Sequence, residues 1–143
     1  MTVAHLLRGK PQRLITIPAH ETLAKASQIL ARERIGAIVV TAPGGDLAGI
    51  ISERDLVRTI AKLGAAALES KVGETMTADV ICCSPDDTVD QVMSLMTEKR
   101  FRHLPVKEAG RMVGMISIGD VVKAKVEDAE RESADLRAYI AGT

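Results

Sequence analysis

Two stretches decide how this chain reads: "LAGIISERDLV" at 47–57 and "MVGMISIGDVV" at 112–122. Superposed, they share Gly, Ile, Ser, Asp and Val, so the pattern Gly-apolar-Ile-Ser-x-x-Asp recurs after 65 residues. The likeness extends outward. "ITIPAHETLAKASQIL" (15–30) lies over "ICCSPDDTVDQVMSLM" (81–96), and "IGAIVV" (35–40) over "FRHLPV" (101–106), both at an offset of 66. The offset changes in a Gly-rich turn, where "TAPGGDLAG" is one residue longer than "KEAGRMVG", a kind of change that surface turns accept. "TVAHLL" (2–7) and "KVGETM" (71–76) read as matching lead-ins. One unit is written twice, over 1–68 with its lead-in and over 69–126, and 127–143 follows as a helical tail.

Each copy yields the same elements. Leu14–Ile17 and Val80–Cys83 are short apolar runs ended by Pro18 and Ser84-Pro85, which suits buried strands leaving into turns. Thr22 and Thr88 stand where helix N-caps belong. After them Leu23, Ala26, Ile29 and Leu30, and Val89, Val92, Met93 and Met96, recur at helical spacing, giving helices to about Arg34 and Arg100. "AIVV" and "LPV" are strands, "PGGD" and "EAGR" are turns, and "LAGIIS" and "MVGMIS" complete hairpins before the chain turns helical at Asp55–Leu63 and from Asp120. The fold class is α/β (α+β), with the order strand, helix, strand, strand, helix, twice.

Composition narrows the function. A chain of 143 residues suits one module with a shared core, burying roughly 68–70% of its unfolded surface. Phe101 and Tyr139 are the only aromatic residues, so the core is aliphatic and there are few rings on which to stack bases. Nineteen basic residues balance nineteen acidic ones, which argues against a nucleic-acid or membrane-surface partner. The start "MTVAHLLRGK" lacks a signal-peptide core, and no apolar run approaches the roughly 20 residues of a membrane span, so a cytoplasmic protein is expected. Adjacent Cys82 and Cys83 alternate across a strand, which disfavours a disulfide between them and suits buried thiols. No quartet of metal ligands, Gly-x-Ser-x-Gly elbow, dinucleotide fingerprint or phosphate loop occurs, and His5, His20 and His103 are scattered, so no enzyme and no metal site is expected.

The repeated unit, with its hairpin ending in Gly-apolar-Ile-Ser-x-x-Asp, resembles the CBS domain, named after cystathionine β-synthase. The stretch "KVGETMTADVICCSPDDTVDQVMSLMTEKRFRHLPV" (71–106) is especially similar, through its Met-Thr lead-in, Pro-Asp turn and Arg-His-Leu-Pro-Val strand. The resemblance implies two tandem β-α-β-β-α repeats packed sheet to sheet about a pseudo-twofold axis, a Bateman module, with clefts that receive adenine nucleotides.

The repeated Ser-x-x-Asp has two readings. At a strand-to-helix junction it is a capping box, with the Ser side chain accepting a backbone N–H and the acid reaching back. By resemblance, Asp55 and Asp120 accept hydrogen bonds from adjacent ribose hydroxyls, and Ser52 and Ser117 contact ribose or phosphate beside a helix N-terminus. Both can hold in one protein. The copies differ around the motif. The second carries Arg102, His103 and Pro105 in its middle strand, where the resemblance puts phosphate contacts on Arg102 and His103; the first has Gly36 and Ala37 there, with Arg54 and Glu53 beside Asp55. The resemblance also places the adenine edge on backbone near Thr16 and Ile17, or near Cys82.

In the tail, Val122, Val126, Ala129, Ser133, Leu136 and Ile140 form a narrow apolar stripe, too short to be read as a coiled coil from sequence alone. Packing back on its own module is the first reading, and a dimer or partner contact is the second. The expectation is a non-catalytic regulatory module that binds AMP, ADP or ATP, with NAD(H) or S-adenosylmethionine next, and signals through a homodimer or a regulated protein partner. The rival is a ligand-free adaptor whose Ser-x-x-Asp motifs are only caps.

Overall fold

Thr22 and Thr88 begin the helices that the apolar spacing calls for. The computed structural model describes residues 1–10 and 14–142. In it, Thr22 Oγ1 accepts the Lys25 N–H at 3.2 Å and Thr88 Oγ1 accepts the Gln91 N–H at 3.0 Å. The Gln91 side chain closes a capping box by accepting the Thr88 N–H at 2.9 Å. The elements run α1 (Val3–Arg8), β1 (Thr16–Pro18), α2 (Leu23–Glu33), β2 (Ala37–Thr41), β3 (Leu47–Ser52), α3 (Glu53–Leu63), a 3₁₀ turn (Gly64–Glu69), α4 (Val72–Thr75), α5 (Val89–Lys99), β4 (His103–Glu108), β5 (Arg111–Ser117) and α6 (Ile118–Ala141). Helices α2 and α5 end alike: Arg34 and Arg100 turn left-handed, and the N–H groups of Ile35 and Phe101 reach back to the Leu30 and Met96 carbonyls.

The chain forms two compact units whose membership crosses the sequence repeats at the lead-ins. Residues 14–81 make one unit, and residues 1–10 with 82–142 make the other. The lead-in of the first repeat packs on the second, and the reverse. The Val3 N–H donates to the Asp87 carbonyl and the Val89 N–H to that of Met1; in the other unit Val72 N–H donates to Glu21 and Leu23 N–H to Ser70. Val3 and Val72 are fully buried in the two cores. Leu7 covers Gly114 as Met76 covers Gly49. The sequence division at 68/69 thus marks the repeat but not the packed body. A lead-in of a few residues cannot cover its own apolar side chains, Val3 and Leu6 in one and Val72 in the other, so it docks where the core of a unit receives them.

In the unit of residues 14–81, β1 runs parallel to β2 and β2 antiparallel to β3. Among the described residues the other unit has the hairpin β4–β5 as its one sheet. The strand expected over Val80–Cys83 reduces to one parallel bridge, Cys83 to Val106. Turns close on both sides of it. The Val80 N–H bonds the Ala78 carbonyl, and the Ser84 N–H donates to Asp87 Oδ2 at 2.8 Å, so the ladder has no room to lengthen.

Helix α6 corrects the reading of the tail. It buries Val121 and Ala124, and Lys125 pairs with Asp90 on α5 at 2.8 Å. The expected stripe is not buried: Val122 and Val126 are half exposed, and every described residue from Ala129 onward is exposed. The capping box at Ser117 fixes the helix rotation so that residues 118, 121 and 124 face the core. One and two turns further, that face carries Asp128 and Arg131, where apolar burial stops.

Candidate functional site

In both units a strand ends on Ser and a helix starts at the next residue, which aims the helix N-terminus at the sheet edge. Ser52 pairs across the ladder with Ala37, and Ser117 with His103. The first helical N–H of each helix donates to the strand before the hairpin, Glu53 to the Gly36 carbonyl at 3.0 Å and Ile118 to the Arg102 carbonyl at 2.8 Å. The backbone before β2 or β4 is thereby held beside the Ser-x-x-Asp motif.

Both motifs are capping boxes. Asp55 Oδ2 accepts the Ser52 N–H at 2.9 Å and the Ser52 hydroxyl at 3.0 Å, while Ser52 Oγ accepts the Asp55 N–H at 3.3 Å. Asp120 Oδ2 accepts the Ser117 N–H at 2.8 Å, and Ser117 Oγ accepts the Asp120 N–H at 3.2 Å. The copies then diverge. Asp55 is only 8% exposed, the one charged residue buried among those described. The Asp120 side chain is 24% exposed, and Lys10 Nζ lies 2.8 Å from its Oδ2 while donating to the Met115 carbonyl at 2.9 Å. The Lys10 ammonium and the Ser117 N–H both meet this carboxylate at Oδ2. Burial pushes the Asp120 carboxyl up, but the Lys10 hydrogen bond and the Ser117 N–H outweigh it and hold the group below its ordinary value.

The segment that enters β4 beside the second Ser-x-x-Asp motif carries Arg102 and His103. Arg102 is exposed at the entry to β4, and His103 is half-buried opposite Ser117. The N-terminus of α6, 24 residues long, adds its partial positive charge. Pro105 is buried, and its carbonyl accepts the Cys83 N–H at 2.9 Å. Cys82 is half-buried next to that bridge. Burial raises both thiols, Cys83 to about 12 with Asp87 and Cys82 adding to it, so both stay protonated at neutral pH. No group of residues that could hold a metal ion occurs among the described residues.

In the first-repeat unit, Thr16 is exposed and Ile17 is a core residue paired with Val40, so Ile17 offers a ligand only its backbone. Arg54 is exposed on the first turn of α3, beside Glu53. Counting along the lead-ins from Val3 and Val72, Asp79 stands where the other unit has Lys10. At that position the first-repeat unit therefore carries an acid in place of the cation. Sequence reasoning passed over Lys10 because it lies 110 residues from Asp120, in the lead-in that precedes the first repeat. The signal was the charge difference, Lys against Asp, at matching positions.

The comparisons agree with this architecture. The CBS domain profile matches residues 11–62 and again 72–127. The chain is 42% identical over 126 residues to the CBS domain-containing protein CBSX3, mitochondrial, of Arabidopsis thaliana, covering 85% of this chain and 61% of that protein. The chain thus spans about three-fifths of that relative. A solved CBS-domain containing protein from Agrobacterium tumefaciens superposes with a TM-score of 0.84 at 45% identity, over 87% of this chain and 92% of the other. CBSX2, solved in complex with AMP, superposes with a TM-score of 0.75 at 25% identity, over 90% of this chain and 98% of its own. With two profile matches, two Ser-x-x-Asp hairpins and these relatives, the chain belongs to the CBS domain family and carries two copies of the domain.

Proposed function

We propose that this protein is a non-catalytic regulatory module that binds an adenine nucleotide, AMP with ADP and ATP as its variants, and that the primary site is built on Asp120. The observation that carries this reading is the Asp120 carboxylate, ionised, accessible, and 2.8 Å from the Lys10 ammonium. Ribose offers two adjacent hydroxyl donors, and a partly exposed carboxylate is their natural acceptor. A nucleotide seated there puts its phosphate beside Lys10, Arg102, His103 and the α6 N-terminus. Lys10 exchanges part of its bond with Asp120 for the phosphate. AMP bound to the related CBSX2 supports the ligand class.

A second reading applies to the first repeat. Asp55 accepts two hydrogen bonds from Ser52 on one oxygen, is nearly buried, and its unit carries Asp79 at the lead-in position matching Lys10, which favours a helix cap with no phosphate site. A thermal-shift panel of AMP, ADP, ATP, NAD, NADH and S-adenosylmethionine tests the proposal, because a ligand of the native state raises the midpoint by mass action. The three adenine nucleotides raise it on this account. Six flat responses would leave the protein as an adaptor whose motifs are caps in both copies.

A further inference from the structure

The exposed half of α6 carries more order than a solvated appendage needs. Val126, Ala129, Ser133, Leu136 and Ile140 follow one another at spacings of three and four, the a and d positions of a heptad, and Val126, Leu136 and Ile140 are 52%, 60% and 64% exposed. An apolar seam of this kind left in water costs stability unless something covers it. The flanking charges indicate what that is. With Val126 at a, the g positions are Lys125 and Glu132, and the following e positions are Glu130 and Arg137. In a parallel pair of identical helices, each g residue faces the next e residue of the mate, so Glu132 meets Arg137, and Glu130 meets Lys125, whose ammonium also lies 2.8 Å from Asp90 of its own unit. Both pairs are opposite in sign, and both occur twice by symmetry. An antiparallel pair centred on the same segment sets Glu130 against Glu130, Glu132 against Glu132, and Lys123 against Arg137, all of like sign.

We propose that the C-terminal half of α6 is a homodimerisation element that pairs with the same segment of a second copy as a short parallel coiled coil. Ser133 at a central a position is polar, and polar a residues in such seams fix register at some cost in stability. Fewer than three heptads bury little area, so the pairing is concentration-dependent. This pairing does not depend on nucleotide binding and stands or falls without it.

Three measurements on the full chain test it. Leu136→Cys, mildly oxidised and mapped by mass spectrometry, should form a 136–136 disulfide between copies, while Ala138→Cys, on the outer face of the helix, should not. Sedimentation over a concentration series should show Arg137→Glu weakening self-association roughly 5- to 30-fold, from loss of two attractive pairs and gain of two repulsive ones. The double variant Glu132→Lys with Arg137→Glu restores opposite signs and should recover most of the loss. An Arg137→Glu variant that associates as well as or better than the parent, a double variant that does not recover, or cross-linking at 138 as fast as at 136 would overturn the proposal. These positions are exposed, so folding of the parent units is retained, and circular dichroism confirms it in each variant.

Discussion

Replacing Val3 by Ala should damage the second repeat, and replacing Val72 by Ala should damage the first. Both valines are fully buried, Val3 among Val89, Val106 and Ile116 and Val72 among Leu23, Val40 and Ile51. Each substitution removes two methyl-sized groups. At about 0.8 kcal/mol per buried methylene that is about 1.6 kcal/mol of transfer, and an incompletely collapsed cavity brings the total to about 2–3 kcal/mol. The lead-ins also close their units through backbone hydrogen bonds, which alanine preserves, so the loss should be local to the cavity and not a detachment of the lead-in. Amide hydrogen exchange reads the location. In Val3→Ala the protection of β4 and β5 falls while that of β2 and β3 holds, and Val72→Ala gives the converse. If Val3→Ala instead lowered protection in β2 and β3, each lead-in would pack on its own repeat and the crossed assignment would be wrong.

Two further predictions follow from the same packing and from the charge pair. Gly49→Ala should cost about 1–3 kcal/mol, because the new Cβ would lie 2.5 Å from the Thr77 carbonyl oxygen; Gly114→Ala should cost under about 1 kcal/mol, because its nearest neighbour is the movable end of Leu7. Equal losses in urea unfolding would contradict this. The Asp120 carboxyl lies below its ordinary value in the folded state, so its contribution is present above the unfolded value of about 3.9 and is lost as pH falls through the folded value. With Lys10 about a third exposed, the contribution is of order 0.5–1 kcal/mol after screening. Lys10→Met should remove most of that part of the acid sensitivity, and an unchanged pH profile between pH 5 and pH 2 would refute the pairing.

Local chemistry was readable before any coordinates. Thr22 and Thr88 cap their helices, and Ser52 and Ser117 close boxes with Asp55 and Asp120, because a cap involves residues two or three positions apart and its partners are written next to each other. The duplication exposed the fold for the same reason: two noisy copies of one pattern agree where the backbone demands it. What was hidden is what depends on distance along the chain. The lead-ins match each other so well that nothing in them says which repeat receives which. The Lys10 to Asp120 pair joins the two ends of the sequence. The strand at Val80–Cys83 has the right composition, but its length is set by the turns that bound it. In α6 the stripe is real, yet the capping box rotates a different set of residues, Val121 and Ala124, into the core.

The most direct test of the account is the affinity of AMP for three forms of the full chain, wild type, Asp120→Asn and Asp55→Asn, by calorimetric titration. Asparagine keeps the size of the side chain and loses the charged acceptor, so Asp120→Asn should bind AMP roughly 10- to 150-fold more weakly, equivalent to about 1.5–3 kcal/mol, even where apo melting shows it folded. Asp55→Asn should lose stability through its cap and keep wild-type affinity. Wild-type affinity in the Asp120 variant would contradict the assignment of this carboxylate to the ribose and leave Ser-x-x-Asp as a helix cap in both repeats.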